Sequence, residues 1–256
     1  MKFLVRVASC AAIIGIGASS VVPAAAGDLD RPAIANYGAR DWSGLYVGVS
    51  AGEMSTSDIG GGFVFPAAAG NSFIVPGNTK FTGGGHIGIQ HQMGNFVFGV
   101  EGGFKHRFGS DFASTPGLGN APPVGCNAAT VFSCQARLDE VWQGGGRLGY
   151  ATNNLLFYGI GGVARADIQT QAQTIATGAL LAQGTGTHTG WYGGGGVEWA
   201  FNKNVILGLE YTHYDFNTQV HDTGGNSRFV SANADSVMGR LSFKLGREPV
   251  AHEPLK

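Results

Sequence analysis

The sequence predicts an all-β fold: an eight-stranded antiparallel up-and-down transmembrane β-barrel, with short turns at one end and long loops at the other. Three observations predict it. Apolar and polar residues alternate through ordered segments of about ten residues, and helical periodicity is hard to find anywhere. The segments are joined by connections of two unequal kinds, tight Asn- and Gly-containing turns and long polar stretches. Charges make up only 13% of the chain, against about 25% in an average protein, yet several stand in the most apolar segments.

The elements follow in order. MKFLVR opens the chain with two positive charges, an apolar stretch runs from Val7 to Val22, and Pro23 with Ala24, Ala25 and Ala26 offers an A-x-A cleavage site. This is the composition of a secretory signal peptide over 1–26. The run ending at Cys10 looks like a lipoprotein box, but the apolar region follows Cys10 instead of preceding it, so no lipid anchor is expected there. Losing Lys2 and Arg6 with the leader moves the formal charge from −1 to −3. Neither that balance nor any basic run points to nucleic acid. Residues 27–41 read as a periplasmic N-terminal linker. Beyond the leader, no apolar run approaches the ~20 residues of a membrane helix.

Strands are expected near 42–53, 80–93, 96–108, 136–151, 155–166, 188–201, 205–216 and 235–245, which together make a barrel over 42–245. Gly94-Asn95, Thr152-Asn153-Asn154 and Asn202-Lys203-Asn204 are tight turns within strand pairs. Long polar stretches over about 54–79, 109–134, 167–187 and 217–233 separate the hairpins, and a polar tail, 246–256, follows the last strand. Short turns of such a barrel face the periplasm and long loops face outward. Glycine supplies 44 of the 256 residues. Because these glycines lie inside alternating apolar and aromatic runs, they mark strands and not disorder.

Alternation then sorts the faces. Phe96, Phe98, Val100 and Phe104 oppose Gly99, Glu101 and Lys105. Trp191, Val197, Trp199 and Phe201 oppose Tyr192 and Glu198, while Leu207, Leu209 and Tyr211 oppose Gly208, Glu210 and Thr212. Trp142, Leu148 and Tyr150 oppose Gln143 and Arg147; Leu241, Phe243 and Leu245 oppose Arg240 and Lys244. A soluble barrel and its inside-out membrane counterpart both fit this pattern. Depth separates them. Glu101, Arg147, Glu198, Glu210 and Arg240 fall roughly 7–12 Å above the periplasmic rim, at ~3.3 Å per residue and a tilt near 45°. Opposite signs meet on neighbouring strands, Glu101 beside Arg147 and Glu210 beside Arg240. Surface charges have no reason to form one mixed layer, whereas an unpaired charge in a narrow lumen costs several kcal/mol. The expected lumenal charge layer is therefore Glu101, Lys105, Arg147, Glu198, Glu210, Arg240 and Lys244, with glycines making room for the arginines. Trp42, Phe96, Tyr150, Trp199, Phe201 and Phe243 read as an aromatic girdle at the membrane–water boundary.

Cys126 and Cys134, in the stretch CNAATVFSC, read as a local disulfide of an exported protein. A metal site would need more thiols or nearby histidines. His86, His91, His106, His188, His213 and His221 are scattered, and only His86 points clearly inward by alternation. No serine stands in an obvious nucleophile relation to His188 or His213. Each glutamate has an arginine to pair with, so acid/base work is not indicated. No enzyme, metal or resident cofactor is expected.

Asp41 to Gly48, DWSGLYVG, resembles the D-W-S-G-x-Y-x-G opening of the small outer-membrane β-barrel, or "porin family", proteins of alphaproteobacteria. WQGGGRLGY ending at Tyr150, the segment 194–201 and Leu209-Glu210-Tyr211 resemble further segments of that family. The resemblance covers about 42–245. It implies an OmpA-like or opacity-protein-like barrel in the outer membrane of a Gram-negative cell after Sec-type export. Outer-membrane lipids, lipopolysaccharide and, during biogenesis, the barrel-assembly machinery would be its partners. Some relatives are described as haem binders, so a haem-binding surface receptor is one alternative to a structural, surface-displaying role. A narrow diffusion channel is another, against which the crowded lumen argues. One departure stands out: the family commonly ends in a strand with a terminal aromatic, whereas here the polar tail follows.

Overall fold

The computed structural model describes residues 40–57, 59–63, 72–75, 77–109, 113–115, 132–174, 176–222 and 227–245. They form β1 (Gly44–Thr56), β2 (Ile59–Phe63), β3 (Ser72–Val75), β4 (Thr79–Met93), β5 (Phe96–Arg107), β6 (Ala113–Thr115), β7 (Phe132–Thr152), β8 (Leu155–Thr174), β9 (Leu180–Ala200), β10 (Val205–Asp222) and β11 (Ser227–Leu245). Eight of these, β1, β4, β5 and β7 to β11, follow one another around a barrel, and antiparallel pairing of β1 with β11 closes it. The short β2–β3 hairpin extends the pairing from β11, and β6 pairs with β7. The leader, most of the linker, the polar tail and Cys126 lie outside the described residues. Cys134 pairs through its backbone with Ala172 and Thr115.

The short turns form where the sequence places them. Gly94 and Asn153 take positive φ, 63° and 50°, a conformation glycine and asparagine reach at least cost. At the third turn, Asn202 Oδ1 accepts from the backbone N–H of Asn204 (2.9 Å) and Val205 (2.8 Å), a local bond that asparagine offers to turns.

Burial resolves the two faces in favour of the inside-out barrel. Outward residues are apolar and exposed, among them Val100, Leu148, Val163 and Leu209, while Glu101, Arg147, Glu198, Glu210 and Arg240 are all buried. That is the inversion a membrane barrel requires.

The strands run further than apolar alternation marks. β8 continues to Thr174 and β9 begins at Leu180, so most of 167–187 is paired strand; β10 and β11 likewise absorb most of 217–233. The reason is that their outward residues turn polar above the lipid while the backbone ladder continues. In β7 a bulge at Asp139, between Leu138 and Glu140, switches the alternation. The switch keeps Leu138 and Ala136 buried, which a strict period of two would have turned outward.

Three tiers fill the interior. Trp42, Val97, Ala151, Leu156, Ala200 and Ile206 pack beside the short turns, charged residues occupy the middle, and Leu138, Ile168, Phe216, Val230 and Ala232 line the end toward the long connections. Trp42 is buried and is not a girdle residue. It precedes β1, its N–H donates to Gln92 Oε1 (2.8 Å), and its carbonyl accepts from Gln90 Nε2 (2.8 Å). The chain here folds under the barrel mouth, and Trp42 shares the inward parity of Tyr46. Phe96, Tyr150, Trp199, Phe201 and Phe243 do face outward.

Candidate functional site

The middle tier is built by register. Six inward charges stand opposite a glycine on a neighbouring strand: Glu101 faces Gly88 and Gly145, Lys105 faces Gly84, Arg147 faces Gly99, Glu210 faces Gly196, and Gly208 lies between Glu198 and Arg240. The space is needed. A Cβ on Gly88 would sit 2.3 Å from Tyr46 Oη, and one on Gly196 would sit 2.7 Å from Tyr158 Oη. Eight strands enclose an interior that side chains just fill, so each long side chain here is matched by an absent one.

Arg240 is the hub. Its Nη1 donates to Glu101 Oε1 (2.9 Å) and its Nη2 to Glu101 Oε2 (2.6 Å), a two-point pairing from β11 to β5. The same Nη1 reaches Glu210 Oε2 on β10, and Nε lies 3.7 Å from Glu198 Oε1 on β9. Arg147, on β7, closes the circuit from the other side. It lies 2.5 Å from Glu198 Oε2 and 3.4 Å from Glu101 Oε2, and it donates to Tyr46 Oη at 3.1 Å. Its guanidinium sits 3.7 Å from the centroid of the Tyr158 ring, close enough for a cation–π contact. Lys105 adds the third cation, 3.7 Å from Glu210 Oε1 and donating to Ser236 Oγ at 3.0 Å. Three carboxylates thus meet three cations in one connected group. Balanced charge offsets much of the desolvation penalty of a buried ionic cluster, while Arg147 Nε, Arg240 Nε and Glu198 Oε1 are buried without a hydrogen bond.

Lys244 is placed differently. It is buried, but it stands beside Tyr46 in the register and its Nζ donates to the carbonyl of Asp41 at 2.5 Å. It ties down the segment that leads into β1, away from the arginines. The sequence reading missed the tyrosines. Tyr46 donates to Glu101 Oε2 (2.7 Å), Tyr158 donates to Glu210 Oε2 (2.9 Å), and Tyr214 lies with its ring 5.2 Å from Lys105 Nζ. Their signal was present: each shares parity with an inward residue of its own strand.

The histidines do not converge. His86 is buried and its Nε2 bonds Ser242 Oγ (2.7 Å), while His188 is also buried, with Nδ1 bonding the carbonyl of Asn217 (3.0 Å). His106 pairs with Glu140 (3.2 Å) and His213 with Asp235 (2.8 Å) on the outer face. Among the described residues, no group of three or more His, Cys, Asp or Glu side chains is placed to hold a metal ion.

An eight-stranded barrel with an apolar exterior and an ionic, hydrogen-bonded interior is an integral outer-membrane β-barrel protein by construction. Comparison with known proteins agrees. The outer membrane protein beta-barrel domain family matches residues 10–238, and the chain belongs to that family. It is 29% identical over 212 residues to the 31 kDa outer-membrane immunogenic protein of Brucella melitensis, covering 79% of this chain and 83% of the relative. It is 26% identical over 206 residues to a 22 kDa outer membrane protein of Rhizobium leguminosarum bv. viciae, covering 80% and 79% of the two chains. Among solved structures it resembles the outer membrane protein OprG of Pseudomonas aeruginosa, with a TM-score of 0.46, 10% identity and 81% and 99% of the two chains covered.

Proposed function

We propose that this outer-membrane barrel is a non-enzymatic envelope protein whose lumen is shut and whose extended strands present a surface outside the cell. The observation that carries the reading is Arg240, which joins carboxylates on β5, β9 and β10 across the lumen. The apolar tier above it, with Leu138, Ile168 and Phe216, is a second obstacle in series. Water-filled porin channels are wider, with sixteen strands or more. The Brucella relative is named an immunogenic protein, in keeping with a face presented outside. His86 and His188 are each engaged in a hydrogen bond of their own and sit in different hairpins, so neither supports a haem site within the barrel.

The test is electrical. The mature protein, refolded into a planar bilayer, is expected to show no large, steady conductance, and liposomes containing it should not swell in sugar. Brief small openings fit an ionic layer that rearranges. Stable openings that pass sugars would overturn the closed-lumen reading, and a saturable absorbance shift with haemin would promote the receptor reading instead.

A further inference from the structure

The outer face carries a feature that the lumen does not explain. Between β7, β8 and β9, at the edge of the apolar belt nearest the long connections, a groove of about 600 Å³ is lined by Trp142, Gly144, Val163, Arg165 and Trp191. Register builds it. Trp142 stands opposite Arg165, Gly144 opposite Val163, and Val163 opposite Trp191. The two indoles form exposed walls. Gly144 is the floor, and a Cβ there would meet nothing within 4 Å, unlike the inward glycines, which are held by close approach.

Arg165 stands at the polar end of the groove. Its Nη2 donates to Thr187 Oγ1 at 3.5 Å, that hydroxyl donates onward to Asp167 Oδ1 at 2.7 Å, and among the described residues no carboxylate pairs with the guanidinium directly. Arg137 nearby is by contrast held by Asp139 at 2.7 Å. A guanidinium with no directly paired carboxylate, at the membrane–water boundary and directly above an indole-walled apolar recess, is complementary to an anionic headgroup with a long chain attached. The end of the belt fixes the leaflet. A second recess of about 550 Å³, on the other side of Trp142, is lined by Ile87, Gly102 and Phe104 and has no arginine or lysine in its lining. The molecule therefore supplies its own control.

We propose that this groove is a binding site for the phosphorylated glycolipid of the outer leaflet, with a phosphate on Arg165 and an acyl chain between Trp142 and Trp191. The inference rests on the outer-membrane placement of the barrel and not on whether its lumen conducts, so the two can fail separately.

Native mass spectrometry of the mature protein in detergent tests it, with bisphosphorylated lipid A, dephosphorylated lipid A and phosphatidylglycerol as probes. The heat-modifiable gel mobility of each variant confirms a folded barrel. One lipid A per barrel is expected. Arg165→Gln should lower its bound fraction about tenfold, the loss of one charge-assisted contact, and leave the dephosphorylated lipid unaffected. Gly144→Leu, which fills the groove, should reduce binding of both lipid A forms, and Gly102→Leu in the second recess should reduce neither. If Gly144→Leu fails to fold, Arg165→Gln still decides. Equal retention by Arg165→Gln, equal loss in Gly102→Leu, or equal binding of phosphatidylglycerol would overturn the assignment.

Discussion

On one strand, β10, two inward residues six positions apart are held in opposite ways. Glu210 accepts from Tyr158 and Arg240 and lies near Lys105. Phe216 stacks on Tyr214 with centroids 5.9 Å apart and rings within 3° of parallel, in a tier of aliphatic side chains. The charged middle tier is directional, since each hydrogen bond holds only at certain angles, and it pins the register of five strands at once. The upper tier is governed by volume. Breaking the first leaves charges stranded, whereas trimming the second leaves a void, so these two tiers of one lumen should respond differently to loss of a side chain.

The largest effect is expected at Arg240. Arg240→Ala leaves three buried carboxylates to only two cations, Arg147 and Lys105, and should cost about 3–5 kcal/mol, read from urea unfolding in lipid vesicles by tryptophan fluorescence. Removing Glu210 as well should cost less than the two separate losses combined; additive losses would show that the pair is not coupled. Ile168→Ala, in the upper apolar tier, should cost about 2–4 kcal/mol and leave the charged middle tier intact. If it matched or exceeded Arg240→Ala, the contrast between tiers would be lost.

The glycines sharpen the same comparison at lower cost. Gly88→Ala pushes a methyl into the Tyr46 ring, 2.3 Å from its hydroxyl, and should destabilise by about 1–3 kcal/mol as overpacking does. Gly146→Ala, facing outward with nothing within 4 Å of the added carbon, should stay within about 0.5 kcal/mol of the native protein. Equal effects at the two positions, measured by the same unfolding assay, would remove the distinction between inward and outward glycines.

Much of this was legible in the residues. The three tight turns, the strand order and the pairing of Glu101 with Arg147 and of Glu210 with Arg240 follow from alternation and distance to the turns. Less legible was the bridge from Arg240 to Glu101, because β11 and β5 are not neighbours and only closure of the barrel brings them across the lumen from each other. Trp42 misled because an aromatic near a strand end was read by its height; its parity pointed inward all along. The strand extensions escaped for a different reason. Residues such as Gln169 and Gln171 continue the ladder without an apolar face, and the Asp139 bulge breaks the period that would have carried the strand back through 132–135.

The charges and glycines that alternate with the apolar residues also govern how the protein reaches its destination. Nascent chain bound for the outer membrane must first pass through the inner one, where any stretch of about 20 apolar residues would partition sideways into the bilayer and stop. Inward polar residues and glycines alternate with the apolar ones along every strand, and polar connections part the strands, so beyond the leader no apolar run approaches that length. The hydrophobicity of the finished exterior therefore exists only once the strands are paired, and the same polar side chains that fill the folded lumen keep the unfolded chain from being captured in transit.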